Sequence, residues 1–357
     1  MKNLVKYIFL FVNIIAVLGI VAIKIGSFIN PNTLLLFSYS SFFLIPILLL
    51  NLFFILFWIV LKKWYFIISL SFFVLFYPIV KSGFSFNLDK SKDKFVGKTK
   101  ITILSYNTTA LDYMKKHTKK NPNLVVQYIL DQDADIICLQ EFSYARYKQK
   151  NKKINEEDIK KLFKKYPYKH IIRKINRPNY VLGVVTFSKF PIINKKRIRY
   201  KSNFNLSIFS DIVVGKDTIR VVNNHLESNR ITSGDIFQTS KLKSNFNSEK
   251  AKELTEKLSK KISVAYKKRA VQADLVADVI KKSPYKVICC GDYNDVPMSY
   301  VYTKIKGERL KDAFQESGLG LGLTFVKSLY RFRIDYIMHD PAIQSRNFKV
   351  GKIKASD

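Results

Sequence analysis

Cysteine is nearly absent: Cys138, Cys289 and Cys290 are the only three in 357 residues. An odd number with two adjacent forms no disulfide framework and no zinc spacing. All three sit in apolar, strand-like runs and read as small buried hydrophobes, so no redox compartment follows from them. Acidic residues are also scarce, 27 Asp and Glu against 61 Lys and Arg, which gives a formal net charge of +34. That balance favours polyanionic partners: nucleic acid, anionic headgroups or phosphorylated substrates. The chain is rich in Asn, Ile, Phe and Tyr as well, and a general compositional bias would produce the same lysine excess. Both explanations stand. No internal repeat is visible, and no residue points to a covalent intermediate.

Long hydrophobic runs, by contrast, are plentiful at the start. Hydrophobic residues are 48% of the chain, and much of that share lies before residue 82. Residues 7–23, 34–61 and 64–80 are apolar runs near or above the roughly 18–20 residues that a bilayer span requires. The first run is long, lacks a small-residue cleavage site and precedes two more, which argues against a signal peptide. Three transmembrane helices are expected, with Pro46 and Asn51 tolerated where neighbouring helices satisfy the freed polar groups. Lys2 and Lys6 precede the first span and Lys62 and Lys63 separate the second from the third, whereas the first loop carries only Lys24. Positive residues stay cytoplasmic, so residues beyond Lys81 are expected outside. The lysines of 90–100 oppose this, but long domains translocate largely regardless of charge. The division is a membrane region at 1–82, a polar linker at 83–100 and one further domain at 101–357.

From Ile101 the pattern becomes short apolar runs that end in polar clusters, with helical stretches between, as in a layered α/β or α+β domain. Ile101-Thr-Ile-Leu-Ser-Tyr-Asn107 ends in Asn, and Ala134-Asp-Ile-Ile-Cys-Leu-Gln-Glu141 ends in Glu. Residues 218–224 lead into His225. Val287-Ile-Cys-Cys-Gly-Asp292-Tyr-Asn294-Asp-Val-Pro297 ends in a carboxylate and a carboxamide two residues apart, which extended chain aims the same way. Residues 332–338 read as a strand containing Asp335, and 248–282 as a long basic helical region. Each polar residue alone has an ordinary reading: Gly, Asn, Asp and Pro form turns, and Asp335 has Arg331 and Arg333 as neighbours. A Glu directly after a buried run needs a partner, however, and a hard cation such as Mg²⁺ supplies one.

In this order, Ser105-Tyr-Asn107, Leu139-Gln-Glu141, Phe187-Ser-Lys-Phe-Pro191, Asn224-His-Leu-Glu-Ser228, Gly291-Asp-Tyr-Asn-Asp-Val-Pro297, Arg333-Ile-Asp-Tyr336 and Ser356-Asp357 resemble the endonuclease/exonuclease/phosphatase superfamily. These are the DNase I-like metal-dependent phosphoesterases. The resemblance runs from Ile101 to the last residue, and the apolar head resembles membrane-anchored bacterial members, which implies a multi-pass protein of the bacterial inner membrane. It implies an α+β fold, a four-layer α/β/β/α sandwich of DNase I-like type preceded by three transmembrane helices. Mg²⁺, or Mn²⁺ in its place, is implied at Glu141, helped by Asn107. Asp292 would orient or deprotonate the attacking water, and Asn294 would donate to the phosphate. His225 would bond the scissile phosphate or protonate the leaving oxygen, with Asp335 supporting the metal and histidine network. Asp357 matches the acid of the family's Ser-Asp-His, whose histidine does not follow here. The expectation is that the chain as given is truncated within that motif.

The leading functional expectation is a membrane-anchored, Mg²⁺-dependent phosphodiesterase of nuclease type, with the lysines of 241–282 as phosphate contacts. An alternative is a phospholipid or phosphoinositide-like phosphoesterase, which an apolar rim around the site would favour. A third is a non-catalytic membrane protein that binds phosphorylated ligands. No protein partner is indicated.

Overall fold

The computed structural model describes residues 2–87, 99–147, 153–244, 247–327, 330–351 and 353. Helix Lys2–Gly26 comes first, followed by a 3₁₀ stretch, Leu36–Phe43, that runs into helix Leu44–Val60. Leu4–Gly26 and Leu36–Val60 are long and apolar enough to cross a membrane. The third apolar run departs from a straight span. It forms two helices, Phe66–Leu75 and Tyr77–Gly83, bent by 83° at Phe76. Pro78 explains the break: it has no N–H to give, and its ring clashes with the carbonyl of Val74 one turn back. A third crossing therefore exists only if the bent pair acts as one span. A buried polar thread ties the segments. Trp58 donates to Asn13, Asn13 to Ser69, and Ser69 to Asn51, over 3.0, 2.6 and 2.9 Å. Asn51 in turn donates to the Ala16 carbonyl over 3.0 Å. In an apolar surround such groups are satisfied only by each other, so they fix how the helices pack. The Lys6 ammonium lies 5.9 Å from the Tyr65 ring, placing the amino terminus and the Lys62-Lys63 turn at one end of the bundle.

Fourteen strands follow among the described residues. They are β1 Ser85–Phe86, β2 Ile103–Asn107, β3 Ile136–Ala145, β4 Tyr168–Asn176, β5 Tyr180–Ser188, β6 Ile192–Ile198 and β7 Leu206–Val214. The rest are β8 Asp217–His225, β9 Lys286–Asp292, β10 Lys311–Asp312, β11 Leu319–Gly320, β12 Phe325–Lys327, β13 Tyr330–Phe332 and β14 Asp335–His339. Two sheets dominate, one of order β2-β3-β5-β4 and one of order β10-β14-β9-β8-β7-β6. Alternation along each strand sorts the apolar side chains. Ile136 and Cys138 meet Ile212, Val221, Ile288 and Cys290 between the sheets. Ile137 and Leu139 turn outward onto helix Leu124–Asp131 with Val125 and Ile129. On the opposite outer face, Val222, Val287 and Cys289 pack under Ala273 and Val276 of helix Ser248–Lys281 and Val301 of helix Tyr300–Lys306. The result is the expected α/β/β/α sandwich, with all three cysteines buried and outside any disulfide.

Within the linker expected at 83–100, Ser85–Phe86 is a strand paired with β11. Residues 88–98 lie outside the described ones. The run 332–338 is likewise two strands, β13 and β14, each in a different sheet. Ile20, Ile23, Leu44 and Ile79 of the apolar segments belong to the same cluster as the helices over the six-stranded sheet. Arg333 fastens the junction, donating to Asp312 over 2.7 Å and to the Ser82 carbonyl over 2.9 Å.

Candidate active site

The site lies where the two sheets expose the carboxyl ends of β2, β8 and β9. Across three neighbouring strands, His225, Asp292 and Asp335 occupy one row: β8 pairs His225 with Asp292, and β14 pairs Asp335 with the same residue. Asn107 comes from the other sheet. Its Nδ2 donates to Asp292 Oδ2 over 2.9 Å and reaches Glu141 Oε1 at 3.4 Å. His225 Nε2 stands 3.6 Å from the same Glu141 oxygen.

Glu141 does not end its strand, as the sequence reading had it. β3 continues to Ala145, and a β-bulge between Leu139 and Phe142 absorbs Glu141. Its φ of 50° is left-handed, an uncommon state for a glutamate. Bulges of this kind re-aim a side chain, and strain held at such a position is a mark of functional sites. The Thr108 hydroxyl braces the bulge by donating to the Gln140 and Glu141 carbonyls at 3.1 and 3.2 Å.

Asp292 and Asn294 do not converge through extended chain. Asn294 is itself left-handed at φ 51°, a state asparagine tolerates. Its backbone N–H donates to Asp292 Oδ1 over 2.7 Å, and its side-chain amide donates to the Leu226 carbonyl over 3.0 Å. Gly291 makes this turn feasible. Its φ is 126°, and a Cβ there would lie 2.0 Å from the Asn224 carbonyl oxygen. Asp292 is 4% exposed. Burial raises its carboxyl above the ordinary value, against the lowering effects of His225, the Asn107 amide and the Asn294 N–H; Glu141 nearby adds to the rise. Asp335 donates its backbone N–H to Thr324 Oγ1 over 3.1 Å. Asp357 lies outside the described residues.

Asp295 and Arg269 carry no role expected from the sequence. Arg269 Nε meets Asp295 at 3.2 Å, and its Nη1 donates to the Glu227 carbonyl and Asn229 Oδ1, both at 2.8 Å. This buried pair holds the turn after Asp292 against the loop after His225. An arginine among alanines on the apolar face of a lysine-rich helix was the available signal.

Among the described residues, no group of three or more His, Cys, Asp or Glu side chains is arranged to hold a metal ion. A Mg²⁺ ion asks for less, because it usually keeps several waters and takes only one or two carboxylates. Glu141, whose side chain is 35% exposed, fits that demand. Asn107 fits as a helper through its amide oxygen, which accepts from the Thr109 N–H over 3.2 Å, while its Nδ2 keeps the bond to Asp292. Asn107, Glu141, Asp292, Asn294 and Asp335 all line one cavity of about 1090 Å³.

A family model described as the endonuclease/exonuclease/phosphatase family matches residues 85–357. The chain belongs to this family. A second model, described only as a domain of unknown function, matches residues 6–83. No curated protein matches the chain. Among solved structures, an endonuclease/exonuclease/phosphatase family protein from Leptotrichia buccalis is similar at 15% identity and a TM-score of 0.44, covering 69% of this chain and 90% of that one. A mannosyl-6-phosphatase of Bacteroides thetaiotaomicron is similar at 13% identity and a TM-score of 0.39, covering 69% and 88%. The human Nocturnin catalytic domain with bound sulfate is similar at 18% identity and a TM-score of 0.41, covering 68% and 83%. Members of the family are phosphoester hydrolases and generally use divalent metal ions.

Proposed function

We propose that the chain is a membrane-anchored, Mg²⁺-dependent hydrolase of phosphodiester bonds. The observation that carries this reading is the Asn107 amide, bonded toward both Glu141 and Asp292 at the wall of one cavity. Glu141 and Asn107 would hold the cation, which when bound supplies Lewis-acid polarisation of a phosphoryl oxygen and charge stabilisation at the leaving oxygen. Asp292 takes the proton of the attacking water. Burial raises its affinity for that proton, while the Asn107 and Asn294 donors fix its two oxygens and leave each a free lone pair. His225 bonds the scissile phosphate or gives a proton to the departing oxygen, and Asp335 supports the row beside Asp292.

Lys6 and the turn at Lys62-Lys63 share one end of the apolar bundle, and by charge bias that end is cytoplasmic. With the bent pair Phe66–Leu75 and Tyr77–Gly83 as the third crossing, the hydrolase faces outward from a bacterial inner membrane. Mn²⁺ is the other hard cation to try, and the net charge of +34 suits an anionic phosphodiester substrate.

The test uses the full chain in detergent with bis(p-nitrophenyl) phosphate, a soluble diester. Hydrolysis should vanish on chelation and return with Mg²⁺ or Mn²⁺. Turnover that persists in chelator would overturn the metal assignment, and absence of turnover with metal present would overturn the hydrolase reading.

A further inference from the structure

A phosphate needs little room, yet the cavity at Glu141 and Asp292 holds about 1090 Å³, the upper end of what a drug-sized ligand fills. Its walls explain the surplus. Phe42, Phe43 and Pro46 line it, and they belong to the membrane-crossing segment Leu36–Val60. Phe325 and Phe332 of the β12–β13 hairpin line it as well, and the Phe42 and Phe332 rings meet edge to face at 5.4 Å. The site is thus roofed in part by a membrane helix. Phe43 is 58% exposed and belongs to that apolar segment. Next to the membrane exit, the cross-strand partners Phe86 and Leu319 are 68% and 63% exposed. A soluble domain rarely leaves such pairs bare unless another apolar phase covers them.

Resting on the phosphodiesterase reading, we propose that this wall is a chain-binding subsite, and that the substrate is a phospholipid of the bilayer in which the protein is anchored. The lipid's phosphodiester sits at Glu141 and Asp292, and its acyl chain lies along Phe42, Phe43 and Pro46. A nucleic acid strand would need cations spaced along a groove. The cavity offers Arg230, Arg331 and Lys349, and Arg230 is already bound to Glu227 at 2.7 Å. That supply matches one headgroup better than a polyanion.

The full chain, reconstituted in phosphatidylcholine vesicles with Mg²⁺, is given long-chain phosphatidylglycerol, its dihexanoyl analogue, single- and double-stranded DNA, and bis(p-nitrophenyl) phosphate. The long-chain lipid should be cleaved at least tenfold faster than the short-chain one. Phe43→Ser should lower that ratio at least fivefold, whereas Leu56→Ser, elsewhere on the same span and 56% exposed, should not. DNA cleaved faster than either lipid, or equal rates for long and short chains, would overturn the subsite while leaving the hydrolase intact. Failure on the soluble diester as well would overturn both readings together.

Discussion

Asn107 and Asp292 stand 185 residues apart in the chain and meet through a hydrogen bond of 2.9 Å between the two sheets. That bond lowers the proton affinity of the proposed base. Burial holds the Asp292 carboxyl above its ordinary value, and Asn107 works against the rise. A general base acts only when ionised, so kcat/KM should climb as pH rises through this raised value. The acidic limb is expected above the ordinary aspartate range near 3.9. Asn107→Ala should move the limb to still higher pH. A limb that stays put, or moves down, would remove Asn107 from this role.

Glu141→Asn keeps a residue that accepts the left-handed backbone but shortens the side chain and removes its charge. Mg²⁺-dependent turnover should fall at least about a hundredfold, in line with losing several kcal/mol of charge stabilisation. Calorimetric titration should show weakened Mg²⁺ binding with an unchanged circular dichroism spectrum. Undiminished turnover would refute Glu141 as the metal ligand.

Gly291→Ala places a methyl group 2.0 Å from the Asn224 carbonyl oxygen at a φ of 126°. The strand pair must part or the turn must shift, and either displaces Asp292. Stability should fall by about 2 kcal/mol or more, as for other strained backbone positions. Thermal unfolding reads the loss, and an unchanged midpoint would contradict the geometry.

Arg333→Met should cost about 3–5 kcal/mol, because Asp312 would be left as an uncompensated buried charge. The double variant with Asp312→Leu should recover much of that loss. Denaturant titration in detergent compares the two. A single variant as stable as the parent would show that the junction at Ser82 is held by something else.

His170 is buried against Ser210, and its desolvation, with Lys195 nearby, pushes it down to about 4. Unfolded, it takes a proton near 6.5. Its neutral form is therefore stable above pH 6.5, and stability is lost as pH falls from there toward 4. His170→Asn should flatten this part of the melting-temperature profile, and a profile of unchanged slope would assign the loss to other groups.

Much of this site was legible because apolar runs ended in residues with a reason to be polar. Asn107, His225 and Asp292 close their strands as expected. Glu141 was found for the right chemistry and the wrong geometry, since a bulge without glycine leaves no local mark and only the partner strand reveals it. β4 went unseen because its lysines, histidine and arginine suit a sheet edge, where one side of the strand needs no apolar partner. The apolar run 64–80 reads as one span despite Pro78, and only packing shows the 83° bend. The tie from Arg333 to Ser82 joins residues 251 positions apart, a distance at which no local pattern carries information.

The order of the six-stranded sheet sets a timetable for synthesis. β14 is translated after β9 and β10 yet lies between them. Until residues 335–339 leave the ribosome, the flank of β9 that carries Gly291 and Asp292 has no neighbour there. On the membrane-anchored reading, the apolar segments enter the bilayer before then, and the nascent chain waits there with an open sheet edge. Cleavage of phosphoesters would begin only once β14 is threaded in. A ribosome-stalled chain ending before Asp335 should bind the membrane and hydrolyse nothing; turnover by such a chain would show that the sheet closes in another order.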